Sequence, residues 1–124
     1  MDEEKFVNLT SHVIAIRTQD GTLRIPPCGT VLRLQEVQRL LRTFSGVDIV
    51  ETAYQAPAFL PEPKEGVVYL VSSLVAQAVK DRDDIVSPDT GSTAVRQGKR
   101  VVAVRQLQQF TWENITGAEQ CLQA

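Results

Sequence analysis

The stretch 67-VVYLVSSLVAQAVKDR-82 decides how the chain is read. Val67-Val68-Tyr69-Leu70-Val71 is an unbroken apolar run rich in β-branched side chains, the pattern of a strand covered on both faces. Ser72 and Ser73 follow, and a serine here can cap a helix by accepting from amides that lack an intrahelical partner. Leu74, Val75, Ala78 and Val79 then recur at helical spacing and supply a buried stripe, with Gln77, Lys80 and Asp81 outward. The stretch predicts a buried strand leading into one firm helix over about 73–82, ended by Asp83-Asp84. Val68, Leu70, Leu74, Val75 and Val79 are its expected core.

The preceding sequence reads mostly as β structure. His12–Arg17 has apolar residues at strand spacing, Gln19-Asp20-Gly21-Thr22 is a hairpin turn, and Thr22–Ile25 alternates again. Pro26-Pro27 stops the pairing because proline has no amide to donate. Gly29 permits a turn, and Thr30–Leu34 alternates, giving three short antiparallel strands. Val37, Leu40 and Leu41 within 35–43 fit helical spacing, so a short helix ended by Gly46 is expected. Val47–Tyr54 is rich in strand formers. Pro57, Pro61 and Pro63 make an extended connection laid on the core through Phe59 and Leu60. Beyond residue 84, Pro88-Asp89-Thr90-Gly91 is a tight turn, 92–95 a strand, Gln97-Gly98 a turn and 100–107 a last strand. The expected fold class is α+β: a small, mostly antiparallel sheet or partly open barrel with one firm helix and one or two short ones. One domain spans 1–124, with its core in 6–110 and a tail from Thr111 that docks through Trp112 or frays.

Composition narrows the function classes. The 124 residues are 43% hydrophobic and 23% charged, with a formal net charge of -2. This is the profile of an ordinary soluble domain. It lacks the basic excess by which proteins neutralise nucleic-acid phosphates, so general nucleic-acid binding is not expected. No apolar run approaches the ~20 residues that span a bilayer, and the acidic start MDEEKF is unlike a secretory signal. The expected location is the cytoplasm, with no membrane partner. Cys28 and Cys121 are too few and too far apart for a disulfide framework or a CxxC metal site, which leaves free thiols.

The chain resembles a family of small, uncharacterised proteins of tailed phages and prophages. The matching residues are Val7-Asn8-Leu9-Thr10 with His12, Ile25-Pro26-Pro27 with Gly29, and Leu60-Pro61-Glu62-Pro63 before Gly66. They continue through Val68-Tyr69-Leu70-Val71-Ser72, Leu74-Val75, Ala78, Arg82-Asp83-Asp84, Pro88-Asp89-Thr90-Gly91 and Val95-Arg96, closing with Val101-Val102, Val104-Arg105 and Leu107. Coverage runs from about residue 6 to 110. Ser11 stands where the family has proline, Cys28 where it often has serine, and 35–54 is this chain's own. The family has no secure biochemical activity, so the resemblance implies a phage or prophage setting and little mechanism.

Polar residues cluster around the helix. A helix start at Ser72-Ser73 offers free amides and partial positive charge to a phosphate or carboxylate, or is simply capped. Arg82 can reach an anion while Asp84 holds its guanidinium, or it can close the helix end. Asp89 and Thr90 can meet a polar ligand or stabilise their own turn, and Arg96 adds a second cation. DTG is also the aspartic-protease signature, but such enzymes pair two of them and this chain has one. His12, the single histidine, has no evident nucleophile beside it. The expectation is a non-enzymatic accessory protein without metal or cofactor, binding through Ser72, Ser73, Arg82, Asp84, Asp89, Thr90 and Arg96. Its ligand would be a small phosphorylated molecule such as a nucleotide immune signal, sequestered against host defence. The alternatives are a protein-interaction module that inhibits a host protein, and a minor virion or assembly component. Short exposed strands add a homo-oligomer to the expectation.

Overall fold

The apolar run is a central strand, as its sequence predicts. In the computed structural model, which describes residues 3–57, 59–79 and 82–111, β6 (Val67–Leu70) lies between β1 (Lys5–Asn8) and β7 (Ile85–Pro88), parallel to both. A short β10 (Leu107–Gln108) pairs antiparallel with the far edge of β7, so the sheet order is β1-β6-β7-β10. Successive side chains of a strand point to opposite faces, and both faces of this sheet are covered. Tyr69, Val71 and Ile85 meet Leu9, Leu32, Val75, Ala76 and Val79 on one side. Leu70 and Val86 meet Ile14, Ile16, Ile25 and Val104 on the other.

The second face is covered by the hairpin of β2 (Ile14–Thr18) and β3 (Gly21–Ile25), whose two-residue turn falls at Gln19-Asp20 as the sequence indicates. Backbone bonds attach it to the body. Arg17 N donates to Val104 O at 2.7 Å and Val104 N to Ala15 O at 2.9 Å. Asn8 forms the other attachment. It is 1% exposed, and its amide donates to the carbonyls of His12 at 2.8 Å and Ile25 at 2.9 Å. Its Oδ1 accepts from the amide and hydroxyl of Thr10 at 2.9 and 2.7 Å.

The α+β expectation is overturned. Strands take 49% of the described residues and helix 6%, with no helix of seven residues or more. The firm helix expected over 73–82 is a six-residue α1 (Ser73–Ala78). Ser72 caps it, its hydroxyl accepting from Val75 N at 3.3 Å, but Val79 is already extended at φ −109° and ψ 99°. A helix this short is held by packing rather than by propensity. Val79 satisfies the core from an extended backbone, so nothing requires another turn. The buried stripe also differs: Val75, Ala76 and Val79 are buried, whereas Leu74 is 41% exposed. Lys80, Asp81 and the tail from Trp112, Cys121 included, lie outside the described residues.

The short helix expected at 35–43 is also a strand. β4 (Gln35–Phe44) pairs antiparallel with β5 (Val47–Gln55), with a bulge between Leu40 and Arg42. Ser45 and Gly46 close the hairpin with positive φ angles of 49° and 77°, the signature of the tight turns that suit twisted ribbons. That two-residue Ser-Gly turn, not a helix stop, is what Gly46 marks. Residues 30–34 form no strand; they are coil, with Leu32 buried under the sheet. The proline-rich connection does lie along the body, since Glu62 O accepts from Tyr69 Oη at 2.9 Å, yet Phe59 and Leu60 are exposed. β8 (Val95–Gln97) and β9 (Arg100–Ala103) complete the fold as a third hairpin.

Two substitutions separate the expected core from the observed one. Leu70→Ala, at a fully buried position, should cost about 2–5 kcal/mol. Leu74→Ala should cost less than about 1 kcal/mol, because part of that side chain is already in water. Urea unfolding midpoints read both, and equal losses would contradict the assignment of the two faces.

Candidate functional site

The seven residues expected to form one site fall in three places. β6 and β7 are parallel, so Ser72-Ser73 and Asp89-Thr90 follow the carboxyl ends of these strands, whereas Arg82 and Asp84 precede the amino end of β7. About five strand residues, on the order of 15 Å, separate Asp84 from Asp89 along β7. Arg82 and Asp84 border one concave region and Ser72 another.

Arg82 and Asp84 are each other's partners. Arg82 Nε donates to Asp84 Oδ1 and Nη2 to Asp84 Oδ2, both at 2.7 Å, and Nη2 also reaches Pro61 O at 2.8 Å. The two side chains are 19% and 13% exposed. This fork-on-fork geometry holds Asp84 below the ordinary carboxylate range, chiefly through the hydrogen bonds from Arg82, and raises Arg82 through the same bonds. The pair joins the segment after α1 to the proline-rich connection. Most of the guanidinium that was to receive an anion is thereby in use.

The tight turn expected at Pro88–Gly91 falls instead at 91–94, where Ala94 N donates to Gly91 O at 3.1 Å. Pro88 still belongs to β7, and Asp89-Thr90 follow it as an extended link whose polar groups are satisfied. Asp89 Oδ1 accepts from Gly91 N at 2.9 Å, and Oδ2 accepts from Gln106 Nε2 at 2.7 Å. The bond from Gly91, then that from Gln106, lowers the Asp89 pKa. Arg96 crosses to the same link, with Nη2 donating to Thr90 O at 2.9 Å. The polarity of Asp89 and Thr90 thus serves hydrogen bonds to Gly91, Gln106 and Arg96. Ser72 is occupied as the α1 cap, and Ser73 is exposed at the first helical position.

Two concave regions remain. A cavity of about 770 Å³ opens where β1 and β6 begin, bordered by Phe6, Pro63 and Val68 and by both charge types: Lys5, Lys64 and Arg82 against Glu4, Glu65, Asp83 and Asp84. A smaller groove of about 280 Å³ is lined by Leu9, Val31, Leu32, Leu34, Leu74 and Val75, with Ser72 and His12 on it. His12 gives its backbone carbonyl to the Asn8 network. Among the described residues, no three His, Cys, Asp or Glu side chains group as a metal site.

The feature that sequence reasoning missed is the β4–β5 hairpin. Every residue of β4 is exposed, as are most of β5. Val37, Leu40, Leu41, Phe44, Val47, Val50 and Tyr54 are all large apolar side chains in solvent. Among the described residues, its strands pair with each other alone. The Ser-Gly turn between two β-forming runs is the signal that would have exposed this arm. No family model, curated protein or solved structure matches the chain.

The Arg82–Asp84 pair has a pH signature. A carboxylate whose folded pKa is depressed adds stability that is complete above its unfolded value, about 4, and is lost as pH falls through the folded value. Arg82→Ala should cost about 2 kcal/mol at pH 7. The gap between wild type and variant should narrow steadily below about pH 4. Urea midpoints at pH 7 and pH 3 measure it; a gap of the same size at both would show that the pair acts through packing alone.

Proposed function

We propose that this chain is a non-enzymatic phage or prophage accessory protein that acts by binding another protein through its β4–β5 arm, in the cytoplasm of the host cell. The observation that carries this reading is the number of solvent-exposed apolar side chains on the arm, with Val37, Phe44 and Val47 on one face and Leu40, Val50 and Tyr54 on the other, led by Phe44 at 67% and Val47 at 63% exposed. A two-stranded ribbon is marginal in water on its own. Exposed apolar surface beyond scattered single side chains marks interaction sites. Burying these side chains on a partner both stabilises the ribbon and drives the association. The phage setting rests on the resemblance of residues 6–110.

The ligand reading keeps one supporting observation, the cavity of about 770 Å³ beside Lys5, Lys64 and Arg82. Its volume is within the range of small-molecule sites. Four carboxylates share its border with three cations, so a phosphorylated ligand would have to displace or neutralise them. A protein partner on the arm meets no such cost.

Gln35 and Gln55 are paired at the root of the arm, so replacing 36–54 by Asn-Gly leaves a turn of favoured type. The shortened chain should unfold within about 0.5 kcal/mol of wild type, because the body does not rely on the arm. It should also fail to retain, in affinity capture from infected cells, the proteins that wild type retains. Equal capture by the two chains would contradict the role of the arm. Binding of a nucleotide in calorimetry, unaffected by the shortening, would favour the cavity instead.

A further inference from the structure

We infer that the layer formed by the β2–β3 and β8–β9 hairpins is a docking face for the phosphate backbone of duplex nucleic acid, bound without regard to sequence. This surface is separate from the arm, and the inference stands whether or not the arm binds a protein.

Charge is divided unevenly along the chain. Six of its thirteen Lys and Arg residues lie in 13–25 and 95–108, together with one of its fifteen Asp and Glu residues, Asp20. The net charge of -2, which speaks against nucleic acid, averages over this division.

The two segments are neighbours in space. Ile16 bridges Val104 in parallel, and both side chains enter the core beneath. Arg17 and Arg105 come next on the two chains. Successive side chains alternate, so both turn outward side by side. Arg24 lies on the same outer face, diagonal to Arg17, because Ala15 opposes Arg24 and Thr22 opposes Arg17. Arg100 precedes Val101, which packs inward, and so it too points outward. All four arginines are exposed.

The body gains nothing from this arrangement. Among the described residues, ion pairs join Arg39 to Glu51 and Arg82 to Asp84, and none reaches the four arginines of this face. Like charges held as close neighbours on a sheet face repel. An external anion relieves that repulsion, and guanidinium forks match phosphate oxygens.

The kind of anion follows from what the face lacks. Between the arginines of β2 and β3 it carries only Ala15 and Thr22, without the large anchors that hold a protein interface. Among the described residues, the exposed aromatic side chains are Phe6, Phe44, Tyr54 and Phe59, all on other segments. Unpaired bases therefore find no ring to stack on. A duplex backbone needs neither feature. Its affinity comes from phosphates neutralised by cations and from the counterions they release, and it carries no sequence information.

Fluorescence anisotropy of the full chain with a labelled duplex tests the proposal. Wild type should bind with a dissociation constant of roughly 1–100 μM at about 50 mM salt. Four phosphate contacts should weaken binding about 100-fold between about 50 and 200 mM salt. Arg17→Ala, Arg24→Ala and Arg105→Ala together should lower affinity at least ~10-fold and flatten the salt dependence to that of about one contact. Arg33→Ala, Arg39→Ala and Arg42→Ala together remove the same charge elsewhere and should cost less than about threefold. All six side chains are exposed, so circular dichroism should show both folds retained. If the first triple variant unfolds, Arg24→Ala alone should still cost about threefold. No binding by wild type at about 100 μM protein in low salt, or equal losses in the two triple variants, would overturn the inference. Tighter binding of a poly-glutamate peptide, or of a single strand of the same length, would also overturn it and assign the face to an acidic protein or to unpaired bases.

Discussion

Asn8 is buried at the end of β1, and all four hydrogen-bonding positions of its side chain are filled: two donors to the carbonyls of His12 and Ile25, two acceptor sites taken by the Thr10 amide and hydroxyl. Its backbone adds a further tie, since Asn8 O accepts from Cys28 N at 2.9 Å. A buried polar group left unpaired costs as much as several ordinary contacts contribute. Here one side chain removes that cost for the 9–12 loop and for the last residue of β3 together. It thereby fixes where the β2–β3 hairpin lies on the central sheet, and with it the placement of Ile14, Ile16 and Ile25 over Leu70 and Val86.

Once the hairpin is placed, β6 has cover on both faces, and the remainder of the body follows from that. The first face needs only a short lid, and six residues of α1 with the extended Val79 provide it. Arg82 and Asp84 then pin the segment after the lid to the carbonyl of Pro61. The link after β7 closes on Gln106 and Arg96 through Asp89 and Thr90. Each polar cluster that looked available for a ligand is spent on holding a connection in place. The arm stands apart from this accounting. Its polar side chains pair across the ribbon, as in Arg39–Glu51 at 3.0 Å and Gln38–Thr52 at 3.1 Å, while its apolar ones face solvent. Among the described residues the body leaves the Ser87 hydroxyl buried without a partner, whereas the arm leaves seven large apolar side chains in solvent.

Much of the body was legible because its signals are local. Val67–Val71 announces a doubly covered strand by composition alone, and Gln19-Asp20-Gly21 announces a hairpin turn. The errors arose where a pattern fits two periods. Val37, Leu40 and Leu41 suit a helix, yet they lie in a strand because the Ser45-Gly46 turn lets them pair with the β-rich run behind it. Leu74 fits a helical stripe, but a single turn and a half of helix rotates it outward, and only tertiary packing determines that. The partners of the candidate site residues are hidden in the sequence for a related reason. Arg82, Asp84, Asp89 and Arg96 carry the right chemistry for binding, and sequence cannot show that their partners are one another or nearby backbone. Nothing in Asn8-Leu9-Thr10 discloses burial, although an asparagine two residues before a threonine is a recognisable local hydrogen-bonding pattern.

The dependence of the fold on Asn8 can be measured with one near-isosteric change. Asn8→Asp preserves the shape of the side chain and its acceptor for Thr10, so no cavity forms. It removes both donors and sets a carboxylate oxygen against the carbonyls of His12 and Ile25. Urea unfolding at pH 7 should show a loss of at least about 3 kcal/mol, because the buried Ile25 carbonyl loses its donor and an added charge is buried against it, while the His12 carbonyl keeps only the Thr10 hydroxyl at 3.1 Å. A loss below about 1 kcal/mol would contradict the account and mean that hydrophobic packing alone places the hairpin on the sheet.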